Sequence, residues 1–314
     1  MRAFVINEFG QPGEVREVSV PEAGPGEVLV RVRTAGINPM DAFVASGGMA
    51  AWAETRMPLV PGIDAAGIVE AVGPDGNGFK PGDEVVLFAD TKSFWGEGTF
   101  AELVSVPASA VAHKPTGLSD DVAATLPLAG LTALGVADQV DASPDTIIGV
   151  IGATGGVGGW FTQLAAARGA TVVAVSRPEN ADYAKSLGAA KTIDYNDPRL
   201  VERLRELYPD GLDSIVDFSG SEETMQGVAP ALSPTGRLVS SGTMVDAASW
   251  AARGVTAEQA KKADTSRLAE LLEMLADGRL RAPELTIVTL EGAGEAIAGV
   301  GQRHTRGKIV IQIA

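Results

Sequence analysis

The segment VIGATGGVGGW, residues 150–160, carries closely spaced glycines directly after the apolar run 147–151. Aligned on the dinucleotide-binding fingerprint, it reads Ala153-x-Gly155-x-x-Gly158, with alanine in the first glycine position. Gly155 lets the backbone approach a pyrophosphate, and Gly158 lets a following helix pack closely on the strand. The N–H groups at that helix N-terminus are well placed to bind phosphate. We therefore expect the loop to bind a dinucleotide through Thr154, Gly155, Gly156 and Val157.

The residues after the next strand candidate distinguish between the two nicotinamide cofactors. An enzyme that binds NAD usually holds the ribose 2′-OH with an acidic residue about 20 positions beyond the loop. Here Ser176 and Arg177 stand 21 and 22 positions after Gly155. A hydroxyl and a guanidinium suit a 2′-phosphate, whereas a carboxylate repels it. This pair predicts NADP(H); the alternative for Arg177 is an exposed surface arginine.

Three successive regions must position these residues. Residues 1–110 are rich in short strand candidates. In one of them, EVLVRVRTAG at 27–36, valine occupies every second position at first, which is the pattern of a strand whose two faces differ. Between residues 123 and 243, buried strand candidates at 147–151, 171–175, 213–218 and 237–241 alternate with helices at 157–168 and 179–187. That alternation is typical of a doubly wound parallel sheet.

The third region begins with a helix in DTSRLAELLEMLADG, residues 264–278. Leucines 268, 271, 272 and 275 share one face, Asp264 is a candidate N-cap and Gly278 closes the helix. The strand candidates LTIVTL and GKIVIQI follow, and we expect them to return to the first region. The predicted fold is α/β, with residues 123–264 as the parallel-sheet domain and 1–122 plus 265–314 as a β-rich domain.

Composition excludes several classes of function. The net charge of −15 argues against nucleic-acid binding, which needs a basic surface. There are no cysteines and only two histidines, His113 and His304, so thiolate chemistry and a histidine-rich metal site are excluded. No run approaches the length of a membrane span and no secretory leader is evident, so we expect a cytoplasmic protein without membrane partners.

Ten segments in order resemble the medium-chain dehydrogenase/reductase superfamily, in particular its zinc-free quinone oxidoreductase (zeta-crystallin-like) branch. These are GINPMD, PLVPGIDAAGIVEAVG, PGDEVV, GTFAEL, AATLPLAGLTAL, GATGGVG, LGAAKTIDYN, DFSGS, GRLVSSG and RGKIVIQI. The resemblance implies a GroES-like β-barrel domain that shapes the substrate site, a Rossmann domain for NADP(H), and a C-terminal return to the barrel.

Departures from the zinc-dependent branch of this superfamily bear on the chemistry. Zinc enzymes carry cysteine where Asn38 stands, and histidine followed by glutamate where Ile63 and Asp64 stand. Isoleucine cannot bind a metal, and a four-cysteine structural zinc site cannot form without cysteine. We therefore expect no metal, and hydride transfer to an acceptor that is already electrophilic, a quinone or an α,β-unsaturated carbonyl compound.

Two residues of GINPMD are the candidate catalytic residues. Asn38 either orients the nicotinamide ribose or donates to the substrate oxygen, with a turn-forming role before Pro39 as the alternative. Asp41 matches an acidic position of relatives, and a solvated or turn-capping carboxylate is the alternative. Phe43 replaces a tyrosine that stacks near the cofactor in relatives and removes its hydroxyl as a proton source.

The resemblance implies further cofactor contacts, and two loops suggest substrate contacts. Beyond the residues already named, the cofactor set comprises Thr132, Tyr195, Ser241, Gly242 and Thr243. The candidate substrate contacts are the aromatic side chains Phe94, Trp95 and Trp250, for which ordinary packing is the alternative.

These observations predict an NADPH-dependent quinone or enone/enal reductase. One alternative is an enoyl-thioester reductase, which needs a basic pocket mouth that this acidic chain does not show. Another is a non-catalytic NADPH-binding sensor or structural protein, compatible with the lack of an identifiable proton donor. Relatives that dimerise through the edges of their Rossmann sheets imply a homodimer, with GRLVSSG near that edge.

Overall fold

The chain divides into two structural units. The first comprises Met1–Leu131, Asp264–Gly278 and Ala282–Ala314, and the second comprises Thr132–Ala263 and Arg279–Arg281. The structure is a computed structural model that describes residues 1–51, 55–76, 78–89, 92, 94, 96–219, 222–301 and 306–313. The N-terminal segment of the first unit ends at Leu131, later than the boundary at 122 that the sequence suggested.

The described residues form short strands throughout both units. In chain order they are β1 Arg2–Val5, β2 Glu14–Glu17, β3 Glu27–Gly36, β4 Asp64–Val72, β5 Glu84–Phe88, β6 Leu103–Pro107, β7 Val111–His113, β8 Ile147–Ile151, β9 Thr171–Ser176, β10 Lys191–Asp194, β11 Leu212–Asp217, β12 Leu232–Ser240, β13 Thr256–Gln259, β14 Leu285–Thr289 and β15 Lys308–Gln312.

The described α-helices range from 4 to 13 residues in length. They are α1 Pro39–Ala45, α2 Asp120–Ala123, α3 Pro127–Gln139, α4 Gly156–Ala167, α5 Ala181–Ser186, α6 Leu200–Leu207, α7 Glu222–Val228, α8 Ala247–Ala251, α9 Leu268–Ala276 and α10 Ala293–Gly301. Within the described residues, none of these helices combines the length and the apolar character that a membrane crossing requires.

The first unit is built on a seven-stranded mixed sheet. Its order is β14-β15-β3-β4-β5-β7, with β6 paired to β3, while β1 and β2 form a separate antiparallel pair. The sheet centres on β3, in which Val28, Val30 and Val32 are fully buried. Strand β15 pairs antiparallel with β3, with Val310 opposite Gly36, so the predicted return of the chain to the first region is confirmed.

The second unit is built on a six-stranded sheet in which every described pair is parallel. The order β10-β9-β8-β11-β12-β13 is, counted within the unit, 3-2-1-4-5-6. Helices intervene between successive strands, which confirms the predicted doubly wound sheet. The strand order reverses between β8 and β11, and ligands bind such sheets at the carboxyl ends of the strands beside that reversal.

Helix α9 shows how the local sequence determines an element. Leu268, Leu271 and Leu272 are fully buried and Leu275 nearly so, as their helical spacing predicts. Asp264 accepts from the backbone N–H of Ser266 at 2.9 Å, and it caps a 3₁₀ turn, Thr265–Arg267, that precedes the α-helix. Gly278 follows the helix with a positive φ of 80°, the conformation expected of a C-terminal glycine.

Candidate functional site

Four polar side chains form a buried cluster in the first unit, which we call the Lys308 cluster: Asn38, Asp41, Asp64 and Lys308. Each is at most 3% exposed to solvent. Asn38 is the N-cap of α1 and Asp41 lies in the first turn of that helix. Asp64 and Lys308 are the first residues of β4 and β15. Two strand ends and one helix end therefore meet in one place.

Strand pairing explains how distant residues reach this cluster. The last residue of β3, Gly36, is opposite Asp64 on β4 and opposite Val310 on β15. The start of β4 and the beginning of β15 thus flank the end of β3, immediately before Asn38. A Cβ on Gly36 would lie 2.2 Å from the carbonyl oxygen of Ala124 and 3.1 Å from Cβ of Asp64, so this close approach requires glycine.

Hydrogen bonds connect the members of the Lys308 cluster directly. The ammonium of Lys308 donates to Asn38 Oδ1 at 2.7 Å and to the carbonyl oxygen of Ile37 at 3.0 Å. Asn38 Nδ2 donates to Asp64 Oδ2 at 2.9 Å. Asp64 Oδ1 accepts from the backbone N–H of Leu128 at 2.9 Å. The Asn38 amide therefore lies between a cation and an anion.

Asp41 is bound to the same helix start. Its Oδ2 accepts from the backbone N–H of Asn38 at 2.7 Å, the arrangement of a capping residue. Its other oxygen, Oδ1, is buried and has no hydrogen-bond partner among the described residues. The turn-capping interpretation of Asp41 thus accounts for one oxygen, and the backbone of Gly62 also favours the charged form of this carboxyl group.

Burial determines the charge of the cluster. Desolvation raises the pKa of Asp41 to about 8, with the Asp64 carboxylate adding to the rise. Desolvation also raises the pKa of Asp64, to about 6, against the opposing attraction of Lys308 and the bonds from Asn38 and Leu128. Burial lowers the pKa of Lys308, while Asp64 and Asp41 counteract that shift. With a pKa of about 8, Asp41 is mostly neutral at neutral pH, whereas Asp64, with a pKa of about 6, is mostly a carboxylate.

The predicted phosphate loop lies between β8 and α4 in the second unit. Gly152 follows β8 with a positive φ of 77°, a conformation that favours glycine. Gly155 is the N-cap of α4 and, as a glycine, has no side chain with which to cap this helix start. A Cβ on Gly158 would lie 2.1 Å from the carbonyl oxygen of Gly152, so Gly158 allows the close packing of helix on strand. The first-turn N–H groups of α4 are thus suited to a phosphate.

The residues predicted to select NADP(H) follow the two neighbouring strands. Ser176 ends β9 and is buried, and Arg177 follows it. Asp194 of β10 is in register with Ser176, so Tyr195, 41% exposed, stands one residue beyond that pair. Arg177 Nη1 lies 3.7 Å from Glu179 Oε1. Ser176, Arg177 and Tyr195 therefore lie together at the carboxyl ends of β9 and β10.

A buried aspartate, which was not among the residues predicted from the sequence, holds the loop that contains three further predicted cofactor residues. Asp217, fully buried at the end of β11, accepts from Ser240 Oγ at 2.9 Å. Ser240 Oγ in turn accepts from the backbone N–H groups of Gly242 and Thr243 at 3.2 and 3.3 Å. The N–H of Ser241 donates to the Asp217 carbonyl oxygen at 3.0 Å. These bonds define the path of the loop after β12.

The remaining predicted residues occupy varied places. Phe43 lies on α1 and is 42% exposed, and Thr132 is half-buried in α3. Phe94 is half-buried against the core of the first unit, and Trp95 lies outside the described residues. Trp250 is 4% exposed and packs in the core of the second unit, where the packing alternative accounts for its burial. Their ligand contacts stay predictions.

Comparisons with known proteins cover most of the chain. Residues 24–116 match the alcohol dehydrogenase GroES-like domain, and residues 156–267 match the family described as zinc-binding dehydrogenase. The chloroplastic quinone oxidoreductase QR1 of Triphysaria versicolor is 30% identical over 94% of this chain and 92% of its own. An NAD-dependent alcohol dehydrogenase of Sulfolobus acidocaldarius is 27% identical over all of both chains.

The structural comparison agrees. The quinone oxidoreductase from Coxiella burnetii superposes with a TM-score of 0.90 and 27% identity, covering 100% of this chain and 99% of that one. A structure described as an NAD-dependent alcohol dehydrogenase superposes with a TM-score of 0.88 and 32% identity over 100% of both chains.

The residues at the zinc-ligand positions do not fit the metal that the second family description implies. Ile63 has no donor atom, and the Asn38 and Asp64 side chains are engaged in the bonds of the Lys308 cluster. The Lys308 ammonium, 4.0 Å from Asp64 Oδ2, already opposes the carboxylate charge. Among the described residues, no group of three or more histidines or acidic residues could hold a metal ion.

Proposed function

Because the chain belongs to the medium-chain dehydrogenase/reductase superfamily, we propose that it is an NADPH-dependent oxidoreductase that needs no zinc ion. Its acceptor is a quinone or an α,β-unsaturated carbonyl compound. The observation that carries this proposal is the Lys308 cluster, in which an ammonium and protein hydrogen bonds engage the side chains at the zinc-ligand positions. The quinone oxidoreductases among the relatives support the acceptor class.

The second unit would hold the cofactor through backbone and side-chain groups. The N-terminus of α4, capped by Gly155 without a side chain, would bind the pyrophosphate. Ser176, Arg177 and Tyr195 would surround the adenosine 2′-phosphate. The Arg177–Glu179 pair is partly exposed, and such pairs contribute little to stability. The loop held by Asp217 would fix the nicotinamide end.

The reaction requires little from the protein besides stabilisation of charge. When bound, NADPH supplies a hydride, and with one proton a quinone becomes a hydroquinone or an enone becomes a saturated ketone. Negative charge develops on the acceptor oxygen during that transfer. A preorganised N–H donor such as Asn38 Nδ2 would stabilise it. We assign Asn38 this role and leave the proton to solvent or to a neighbouring group.

Steady-state kinetics test this proposal. NADPH and NADH are compared with 9,10-phenanthrenequinone and a 2-alkenal as acceptors, before and after treatment with a zinc chelator. We expect turnover that prefers NADPH and is insensitive to the chelator. Preference for NADH would remove the role given to Ser176 and Arg177. Alcohol oxidation that the chelator abolishes would instead identify a zinc alcohol dehydrogenase.

The same measurements separate the two alternatives. Reduction of a 2-enoyl thioester, without reduction of quinones, would identify an enoyl-thioester reductase. Tight NADPH binding without turnover of any acceptor would identify a sensor or structural protein. We further propose a homodimer, because strand β13 leaves one edge of the six-stranded sheet available for pairing. Cytoplasmic localisation stays a prediction.

A further inference from the structure

Lys308 is a buried cation whose place in the fold calls for an explanation. Burying an ammonium is costly unless the charge is paired and hydrogen-bonded. The side chain is 3% exposed, and its two hydrogen bonds go to Asn38 Oδ1 and to the carbonyl oxygen of Ile37. A hydrophobic residue would fill this strand position without that cost. The fold therefore accommodates a charge beside Asn38 for a reason other than packing.

The charges on either side of Asn38 fix the orientation of its side-chain amide. An amide can turn over and exchange its oxygen and nitrogen, but an ammonium only donates and a carboxylate only accepts. Lys308 therefore selects Oδ1, and Asp64 selects Nδ2. The reversed amide would place NH2 against NH3⁺ and an oxygen against a carboxylate. Only one orientation of Asn38 is compatible with both neighbours.

One hydrogen of Asn38 Nδ2 has no acceptor among the described residues. The amide nitrogen carries two hydrogens, and among the described residues Asp64 is its acceptor for one of them. We propose that Lys308 is a positioning residue that, with Asp64, holds the Asn38 amide so that its second N–H faces the acceptor oxygen. This inference rests on the proposed function, in which Asn38 donates to that oxygen.

The charge state of the cluster agrees with this role. The groups that face Asn38 are Asp41 on its own helix, Asp64 on β4 and Lys308 on β15. Burial raises the pKa of Asp64 only to about 6 and that of Asp41 to about 8. At neutral pH Asp64 stays an acceptor, and Asp41 adds no second negative charge.

A double-mutant cycle between Lys308 and Asn38 tests the proposal. Lys308→Met alone leaves the buried Asp64 without its cationic neighbour, so the variant K308M/D64N is used, which removes both charges together. We expect it to keep the melting temperature and the NADPH affinity of the wild type but to lose about tenfold in kcat, the worth of one hydrogen bond. Asn38→Ala should show a similar loss.

The cycle is completed in the Asn38→Ala background. If Lys308 acts through Asn38, adding K308M/D64N to Asn38→Ala changes kcat by less than about twofold, because the shared interaction is already gone. Independent, multiplicative losses would overturn the proposal. Wild-type kcat in K308M/D64N would also overturn it, since Lys308 would then serve charge balance alone.

A readout without turnover separates this proposal from the proposed function. If the wild type reduces no quinone or alkenal, the proposed function fails. The Asn38 side-chain amide resonances, assigned by their loss in Asn38→Ala, then report the orientation. We expect the resonance of the Asn38 amide proton that is hydrogen-bonded to Asp64 to shift upfield in K308M/D64N. Resonances that do not change would show that Lys308 and Asp64 do not hold the amide.

Discussion

At the scale of single residues, the Lys308 cluster links stability to pH. The pKa of Asp41 is about 8 in the folded protein, because burial disfavours the carboxylate, against an ordinary value of 3.8. The folded state therefore binds this proton more tightly than the unfolded state. The stabilising contribution is complete below about pH 4 and is lost as the pH rises to about 8.

Asp41→Asn is expected to remove this pH dependence. The asparagine keeps an acceptor for the Asn38 N–H but cannot ionise. The free energy of unfolding of the variant, relative to wild type, should rise with pH by up to about 1.4 kcal/mol per unit between pH 4 and 8. Urea titrations at several pH values measure it. Asp182→Asn, at an exposed position, is the control, and a difference independent of pH would contradict the assignment.

A second residue-scale prediction concerns the choice of cofactor. Arg177→Ala removes the guanidinium proposed to bind the 2′-phosphate. A hydrogen bond between charged groups contributes about 1.5–3 kcal/mol, so KM for NADPH should rise roughly tenfold to a hundredfold while KM for NADH stays constant. Arg199→Ala is the control, because Arg199 is an exposed arginine of the same unit. Equal effects on both cofactors would argue against a 2′-phosphate contact.

The sequence alone identified part of this site. Asn38 and Asp41 were recognised because their segment resembles a known motif. Lys308 was missed because a lysine in a strand usually faces solvent. The burial of Lys308 depends on the pairing of its strand, β15, with β3. One signal was available: alternation places Lys308 on the same strand face as Val310, which is fully buried.

At the scale of elements, the packing of α4 on β8 leads to a prediction with a built-in control. Gly158→Ala would place a Cβ 2.1 Å from the Gly152 carbonyl oxygen, whereas the nearest atom to a Cβ on Gly159 is Leu187 Cδ1 at 3.6 Å. We expect Gly158→Ala to lower stability and to abolish NADPH binding.

The neighbouring substitution should behave in the opposite way. Gly159→Ala adds helix propensity without a clash and should raise stability by about 0.5–1 kcal/mol. Thermal unfolding and fluorescence titration with NADPH measure both effects. Equal stability and equal NADPH affinity of the two alanine variants would show that NADPH binding does not depend on the close approach of α4 to the loop after β8.

The strands predicted from the sequence agree best with the observed strands where those strands are buried. Strand β8 was predicted with its observed bounds, because Ile148 and Val150 belong to a continuous apolar run. Strands β10 and β13 were not predicted: each has four residues, and both lie at the sheet edges with polar side chains such as Lys191 and Glu258. Edge strands are short and half-solvated, so they lack a hydrophobic pattern.

At the scale of the whole molecule, the edge of the six-stranded sheet bears on assembly. The segment GRLVSSG, predicted near an edge, forms the end of β12 and is covered by β13, which is the edge strand itself. A homodimer that pairs through β13 would have twice the 32.2 kDa of one chain. Sedimentation equilibrium at several concentrations measures this mass. A single species of 32.2 kDa would rule out the dimer.

The return of the chain to the first unit has a consequence for biosynthesis. Strand β15 pairs with β3, yet more than a complete second unit separates them in the chain. During translation Asn38 and Asp64 are made early, whereas Lys308, which opposes the charge of Asp64, leaves the ribosome only after the six strands of the second unit. The second unit is contiguous enough to fold first, while the first still lacks the pairing of β15 with the last residues of β3 and the cation that opposes Asp64. A nascent chain stalled before residue 308 is therefore the form most in need of a chaperone.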